Sequence, residues 1–441
     1  MSAKIKKKRF GPFHIIIASF AGVILLGAAL LLLPFASSGA AATLREALFT
    51  ATSAVCVTGL VVRDTGSAWA PFGQAVILLL IQIGGLGVVT VAATFALMTG
   101  RRISLMQRST MLEAMSAPSM SEIRRLTGFV VRGTLLVEAI GAVLLLPVLL
   151  PVYGARGIWL AVFHAISAFC NAGFDIFGTA AQPYVSLTGF ADSVWFNAVI
   201  MLLIVSGGLG FLTWDDIRSH GFRIRRYRMQ SKVILVTSAA LIVVPAAVLY
   251  FAELSGQPHG VLAALFQSVT TRTAGFNTAD LTSLSGVGRM LMIALMLVGG
   301  SPGSTAGGMK TTTLAVLVLN ASASLRRRKE VHAFGRRIDD QIVRSAAALA
   351  ALYLVLALTG AAIVSLCDGL SFGKSLFETA SAIGTVGLTL GVTPQLGAVS
   401  HAVLMLLMFF GRVGGLTLFY AAASVSDPRF ARYPQEKITI G

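Results

Sequence analysis

The sequence is poor in charged residues: only 12% of its 441 residues are Asp, Glu, Lys or Arg, against about a quarter in a soluble domain. Hydrophobic residues make up 56% of the chain. This composition excludes an ordinary water-soluble domain and indicates a protein that crosses a lipid bilayer several times. Among the charged residues the acidic ones are the fewer, 18 against 35 basic ones, which gives a formal net charge of +17. In a membrane protein such an excess of basic residues reflects which loops lie in the cytoplasm, so we expect no nucleic-acid partner.

Cysteine and histidine are also scarce. The three cysteines, Cys56, Cys170 and Cys367, form neither a disulfide framework nor a metal-ligand motif. The six histidines are scattered, and no HExxH motif is present. A membrane-embedded enzyme needs a nucleophile–base pair or a metal cluster. An enzyme is therefore a remote alternative, and we expect no organic cofactor.

Apolar segments long enough to span a bilayer, about 20 residues, occur eight times. Between the two members of each pair lies a shorter segment that cannot span and is expected to re-enter the membrane. The long–short–long order occurs four times, so the sequence predicts an all-α membrane protein with eight transmembrane helices and four repeats around a central pore. The predicted repeats are 1–100, 101–220, 221–325 and 326–441. The long segments lie near 15–33, 72–99, 126–152, 194–214, 233–252, 288–319, 342–366 and 398–424, and the short ones near 43–55, 158–169, 260–271 and 372–383.

The basic residues predict the orientation. They cluster in residues 1–10, 100–125, 215–232, 322–344 and 424–441, which the topology places on one side. The positive-inside bias then puts both termini in the cytoplasm. The basic N-terminus and first apolar segment resemble a secretory signal, but the segment is longer than a signal's apolar region and repeat 1 needs it, so we expect it to be retained. The opposite side receives Arg45, Arg63, Arg156, Arg272, Arg289 and Lys374.

Each short segment leads into a glycine, as in FTATSAVCVTG, FHAISAFCNAG, FQSVTTRTAG and FETASAIGTVG. A single glycine there would be explained by a helix C-cap. Four in equivalent places predict a filter, because glycine permits the backbone turn that points carbonyls into a narrow lumen, where they replace an ion's hydration shell. The negative C-terminal ends of the short helices favour a cation. The predicted filter residues are Val57, Thr58, Gly59, Asn171, Ala172, Gly173, Thr273, Ala274, Gly275, Thr385, Val386 and Gly387.

The run 299–310 interrupts a long apolar segment in repeat 3. It resembles the phosphate-binding motif GxxxxGK[ST], but Met309 separates Gly308 from Lys310, and no strand precedes it. So many small residues and a proline disfavour a helix. The run therefore predicts a broken helix that gates the pore. The predicted gate residues are Gly299, Gly300, Ser301, Pro302, Gly303, Ser304, Thr305, Ala306, Gly307, Gly308 and, in repeat 4, Arg412.

Two arginines are predicted to lie within the membrane, where a charge is costly and must find partners. Arg412 stands two residues before Gly414–Gly415, where repeats 1 and 2 have Gln82 and Val205 ahead of a glycine pair. We expect Arg412 to bind carbonyls of the broken helix and close the gate, with snorkelling to the interface as the alternative. The glycine pairs of repeats 1, 2 and 4 are interpreted as helix-packing positions. Arg272 is expected to pair behind the filter with Glu378, Asp175 or Asp280.

The sequences VCVTGL, FCNAGFD, TRTAGFNT, GTVGLT and GGSPGSTAGGMKT resemble those of the Trk/Ktr/HKT superfamily of potassium transporters over nearly the whole chain. Eight crossings look more like the bacterial KtrB membrane subunits than the longer TrkH type. The resemblance implies potassium transport across the bacterial cytoplasmic membrane, a homodimer with a pore in each subunit, and a cytoplasmic ring of nucleotide-binding regulatory subunits of the KtrA type. Relatives that favour sodium often have Ser in place of the first filter glycine; Gly59 therefore implies a potassium preference. A sodium-permeable or sodium-coupled transporter of the same fold is the alternative.

Overall fold

The computed structural model describes residues 12–88, 90, 91, 120–328 and 330–414. The basic segments 1–10 and 424–441, the ends of the apolar segments 72–99 and 398–424, and Gly415 lie outside the described residues. The described part is mostly helical, and its elements follow the predicted long–short–long order.

Repeat 1 contains α1 (Pro12–Leu31), α2 (Leu44–Val55), α3 (Thr65–Ala68) and α4 (Pro71–Leu86). Repeat 2 contains α5 (Met120–Tyr153), α6 (Arg156–Phe169), α7 (Val194–Gly208) and α8 (Phe211–His220). Repeat 3 contains α9 (Met229–Leu249), α10 (Gly260–Thr270), α11 (Gly286–Met296) and α12 (Thr311–Leu325). A hairpin of β1 (His332–Ala333) and β2 (Arg336–Arg337) precedes α13 (Asp340–Asp368), α14 (Phe372–Gly384) and α15 (Ala398–Val413) of repeat 4.

Local sequence signals fix several helix ends. Thr43 and Glu46 form a capping box at the start of α2, because each side chain accepts the backbone N–H of the other residue. The carboxylate of Asp339 accepts the N–H of Gln341 at the start of α13. The same helix ends at Gly369, whose φ of +65° suits glycine.

The first helix of each repeat is unbroken, and α1, α5, α9 and α13 are each long and apolar enough to cross a membrane. These helices carry many exposed apolar side chains, as expected of surfaces that face lipid. The short second helices α2, α6, α10 and α14 lie inside this shell. Each contains a fully buried phenylalanine at the equivalent position: Phe49, Phe163, Phe266 and Phe377.

The second long segment is interrupted in repeats 1, 2 and 3, and in repeat 4 its described helix ends at Val413. The breaks in repeats 1 and 2 correct the prediction of continuous spans, while the break in repeat 3 was predicted. In repeat 2, α7 and α8 meet at an angle of 97° across a break of a few residues. In repeat 3 the break is the run between α11 and α12. The interruptions in repeats 1 and 2 fall at glycines with positive φ, Gly87 at +85° and Gly210 at +87°, and the described helix of repeat 4 ends at such a glycine, Gly414 at +92°.

The glycines before these breaks identify equivalent positions in the repeats. Cβ atoms on Gly84, Gly207 and Gly411 would each clash with a carbonyl oxygen near the end of the short helix in the same repeat. The corresponding carbonyls are those of Val55, Phe169 and Ile383. The predicted alignment of repeat 4 was therefore wrong by three residues: Gly411 and Arg412 match the glycine pairs of repeats 1 and 2, and Gly414 matches the glycine at the break.

Candidate ion-conducting site

The four predicted filter glycines meet in a closed ring. All have positive φ, between +69° and +95°. A Cβ atom added to any of them would touch the carbonyl oxygen of the residue before the next glycine in the ring. That oxygen belongs to Ala172 for Gly59 (2.5 Å), to Ala274 for Gly173 (2.6 Å), to Val386 for Gly275 and to Thr58 for Gly387. Only glycine leaves room for this approach, so each repeat contributes backbone to one shared opening.

A second left-handed residue occurs two positions before each glycine. These four residues are Val57, Asn171, Thr273 and Thr385, with φ between +51° and +69°. For residues with a Cβ this conformation costs about 1–2 kcal/mol each, so its recurrence in four repeats reflects a common requirement. Alternation of left-handed and ordinary conformations turns successive carbonyls to the same side, as in ion-binding filters. The sequence analysis placed these four residues in the filter and predicted positive φ for the glycines, but it did not predict positive φ for these residues.

Hydroxyl groups of the short helices support the filter backbone from behind. Each stands four residues after the buried phenylalanine, and all are fully buried. The pattern Phe-x-x-x-Ser/Thr is visible in all four repeats and could have revealed them. The Oγ of Ser53 accepts the N–H of Gly59 (3.1 Å), the Oγ of Ser381 accepts that of Gly387 (3.0 Å), Ser167 donates to the carbonyl of Phe174 (2.7 Å) and Thr270 to that of Phe276 (2.6 Å).

Several buried side-chain oxygens at the ring have no hydrogen-bond partner in the described part of the chain. They are Thr58 Oγ1, Asn171 Oδ1, Thr273 Oγ1 and Thr385 Oγ1. Buried polar atoms are normally hydrogen-bonded, so four such atoms in equivalent segments call for an explanation. All four can act as acceptors, so they can coordinate a cation or hold its hydration water.

The run 299–310 packs against the ring on the side where the short helices end. The Oγ1 of Thr305 accepts from Asn171 Nδ2 (2.9 Å) and donates to the carbonyl of Phe169 (2.9 Å). A Cβ on Gly307 would clash with Oγ1 of Thr385. The run therefore contacts the filter segments of repeats 2 and 4.

Hydrogen bonds from backbone N–H groups and from the Lys310 ammonium connect the two ends of the run. The N–H of Gly299 donates to the carbonyl of Met309 (2.7 Å), and that of Thr311 donates to Gly300 (3.0 Å). The ammonium of Lys310 donates to the carbonyl of Ala306 (2.8 Å). The lysine that suggested a phosphate-binding motif is thus bound to the run's own carbonyls.

Arg412 connects this run to repeat 1. Its Nη1 donates to the carbonyl of Thr305, and its Nη2 donates to those of Gly84 and Gly85, the latter at 3.2 Å. The predicted contact with carbonyls of the broken helix is present, and the snorkelling alternative does not describe the observed side chain. The contact with α4 was not predicted, because the sequence alignment of repeat 4 was displaced. A gating role for Arg412 remains a prediction.

Arg272 does not pair with an acidic residue, contrary to prediction. In the described structure its Nη2 donates to Oγ of Ser238 on α9 (3.1 Å), and its Nε has no partner. The three carboxylates expected to pair with it accept hydrogen bonds elsewhere. Asp175 accepts from the N–H of Phe177, Asp280 from that of Thr282, and Glu378 from residues 389–393.

Glu378 holds the chain that follows the repeat 4 filter glycine. It is fully buried. Its Oε1 accepts from Oγ1 of Thr389 (2.7 Å) and the N–H of Leu390 (2.9 Å), and its Oε2 accepts from Oγ1 of Thr393 (2.5 Å). Three donors on one carboxylate fix the backbone next to Gly387.

We expect Glu378→Gln to reduce potassium-to-sodium selectivity about tenfold, since an amide replaces one acceptor by a donor and breaking such a bond costs about 1–3 kcal/mol. Bi-ionic flux measurements in liposomes will check this. The matched control is Asp368→Asn, which removes an acceptor for the N–H of Gly397 (2.8 Å) in the same repeat but away from the ring. Equal selectivity in the two variants would contradict the role assigned to Glu378.

The fold and site define a polytopic membrane protein with a four-repeat pathway for cations. The chain belongs to the TrkH family of cation transport proteins, whose family model matches residues 7–432. It is an integral membrane cation transporter and not an enzyme.

Relatives with known names match the chain over nearly its full length. It is 37% identical to the potassium/sodium uptake protein NtpJ of Enterococcus hirae, with 99% of this chain and 98% of the relative covered. It is 35% identical to the Ktr system potassium uptake protein B of Bacillus subtilis, with the same coverage of 99% and 98%. The crystal structure of the potassium transporter TrkH from Vibrio parahaemolyticus has the same fold, with a TM-score of 0.76, 18% identity and coverage of 96% of this chain and 87% of that one.

Proposed function

We propose that this protein takes up potassium through the ring of backbone carbonyls built by Gly59, Gly173, Gly275 and Gly387. The proposal rests on the ring itself: each filter glycine lies against the carbonyl oxygen of the residue that precedes the next glycine. Buried side-chain oxygens in the same segments have no hydrogen-bond partner among the described residues. Such a ring replaces the hydration shell of an alkali cation. Glycine at all four positions supports a preference for potassium over sodium.

The membrane potential supplies the driving force in this proposal. It contributes about 2.3 kcal/mol per charge per 100 mV, which corresponds to roughly fifty-fold accumulation. The chain therefore requires no ATP-hydrolysing site of its own.

The run 299–310 and Arg412 form the gate. The run lies across the inner end of the ring, and the guanidinium of Arg412 attaches it to α4. A positive charge beside the pathway also raises the energy of a cation there. Opening requires the run to move away from Asn171 and Thr385.

The working assembly is a homodimer with a cytoplasmic ring of nucleotide-binding regulatory subunits of the KtrA type. The name of the Bacillus subtilis relative, a component of a Ktr system, supports a multi-component transporter. The membrane is the bacterial cytoplasmic membrane, with both termini in the cytoplasm. The basic segments on that side can contact the regulatory subunits or anionic lipid.

Cation flux into liposomes tests the proposed function. We expect the reconstituted protein to take up rubidium, a potassium substitute, without chemical turnover and much faster than sodium. Equal sodium flux, or rubidium flux that requires sodium, would favour the alternative suggested by the name of the Enterococcus hirae relative, a sodium-permeable or sodium-coupled transporter. The absence of any cation flux would contradict both.

A further inference from the structure

An acidic side chain lies deep in the membrane-spanning part of repeat 2, away from the opening. Glu138 is only 4% exposed and stands near the middle of the span Thr127–Tyr153 of α5. An ionised carboxylate at this depth is costly unless it is paired. No ion pair with Glu138 is found in the described residues, so the site is one in which the carboxyl group can also hold a proton.

The carboxyl group touches the filter segment of repeat 2 through a thiol. Its Oε1 lies 3.7 Å from Sγ of Cys170, which caps the short helix α6 and directly precedes the left-handed residue Asn171. Its Oε2 accepts from Nε2 of Gln82 on α4 (3.2 Å), and the oxygen of Gln82 lies 3.7 Å from the same thiol. Glu138, Gln82 and Cys170 thus form one polar cluster behind the filter.

The same cluster lies beside the backbone that binds Arg412, one of the proposed gate residues. A Cβ on Gly85 would lie 2.5 Å from Sγ of Cys170, and the carbonyl of Gly85 accepts from Nη2 of Arg412 (3.2 Å). The thiol of Cys170 thus lies between the carboxyl group of Glu138 and the α4 backbone that binds Arg412. One turn from Glu138 on α5, the buried Oγ1 of Thr134 has no partner in the described structure, so a polar atom is available there to a water molecule.

In the described part of the chain, the elements packed against Glu138 carry few charges. The packed helix α7 carries no charged residue, α4 contributes the neutral Gln82, and α6 contributes the Cys170 thiol. On its own helix, Arg132 is exposed and faces away. The cation linked to the cluster is Arg412. Among the described residues, the charge of Glu138 therefore acts on the filter segment of repeat 2 through Cys170, and the Arg412 contact at Gly85 adjoins the same thiol.

We propose that Glu138 is a proton-binding residue whose charge state sets the cation flux. The inference rests on the proposed potassium pathway. When Glu138 is ionised, its negative charge offsets that of Arg412 and lowers the energy of a cation at the inner end of the ring. When Glu138 is protonated, the positive charge of Arg412 acts on the pathway alone. Flux should thus rise with pH.

Rubidium flux into liposomes, measured from about pH 5 to about pH 9 in the full-length protein, tests this proposal. We expect unaltered protein to carry about fivefold more rubidium at the high end. Glu138→Gln, which mimics the protonated group, should show low flux that no longer depends on pH. Glu138→Asp should retain a pH dependence. The control Glu253→Gln changes a carboxylate in the turn that follows α9 and should behave as unaltered protein. A pH profile of Glu138→Gln equal to that of unaltered protein would overturn the proposal.

Infrared difference spectroscopy tests the proton site without transport. A protonated buried carboxyl group has a carbonyl stretch that disappears as the proton leaves. Other buried carboxyl groups, such as Glu378, absorb in the same region, so the comparison is between spectra. We expect unaltered protein and Glu253→Gln to share a component of this band that Glu138→Gln lacks. Identical band intensity in Glu138→Gln and unaltered protein would overturn the assignment, even if rubidium flux followed the expected pattern. Absence of flux from unaltered protein would contradict the proposed function, while this band would still decide whether Glu138 binds a proton.

Discussion

Gly275→Ser is expected to lower the potassium-to-sodium flux ratio at least about tenfold, or about 1.4 kcal/mol in relative barrier. Gly275 has φ of +81°, and its Cβ would clash with the carbonyl oxygen of Val386. A side chain there displaces one contributor to the ring and widens or distorts the opening, so a dehydrated potassium ion loses its advantage over sodium. Total flux should change less than selectivity. Paired rubidium and sodium flux in liposomes measures both.

Gly391→Ser is the matched control. Gly391 has nearly the same backbone conformation, φ of +80°, but no atom lies within 4 Å of the place that a Cβ would occupy. The two variants therefore share the conformational cost of a left-handed serine and differ in the clash with the ring. Unchanged selectivity in Gly275→Ser, and in the corresponding variants of Gly59, Gly173 and Gly387, would remove the filter assignment.

Arg412→Ala is expected to raise rubidium flux about tenfold or more in the absence of any regulatory subunit. The variant loses the hydrogen bonds from the guanidinium to Thr305, Gly84 and Gly85, which hold the run 299–310 against α4. It also removes a positive charge beside the cation pathway, and both changes lower the barrier. Selectivity should be preserved because the ring is untouched.

Arg412→Lys separates the two contributions, since lysine keeps the charge but cannot bind carbonyls on two sides with a planar group. We expect its flux to fall between those of Arg412→Ala and unaltered protein. Arg289→Ala serves as the control, because Arg289 lies near the start of α11, where its Nε donates to the carbonyl of Ser285 (3.4 Å). Unaltered flux and unaltered dependence on a regulatory subunit in well-folded Arg412→Ala would leave Arg412 with a structural role only.

Arg272 and Arg412 show how much the sequence predicts about charged residues within the membrane. Because burying a charge is costly, the sequence correctly predicted that both arginines have partners inside the protein. It could not identify those partners, because a guanidinium is satisfied by hydroxyls and carbonyls as well as by carboxylates. Arg272 donates to Ser238, and Arg412 binds carbonyls from repeats 1 and 3. Ser238 comes from another helix of the same repeat as Arg272, and the carbonyls that bind Arg412 come from other repeats, so both sets of contacts arise only from tertiary packing.

The sequence by itself determined the membrane class, the four repeats, the short helices and the positions of the four glycines. These features depend on apolar length, internal repetition and the conformational freedom of glycine, all of which are local. Only the tertiary structure decided that the glycines close into one ring, that the residues Val57, Asn171, Thr273 and Thr385 adopt positive φ, and that the second long segments of repeats 1 and 2 are interrupted. The physical reason is that the repeats approach one another at backbone distance, where a carbonyl of one repeat fills the space that a Cβ of the next would need.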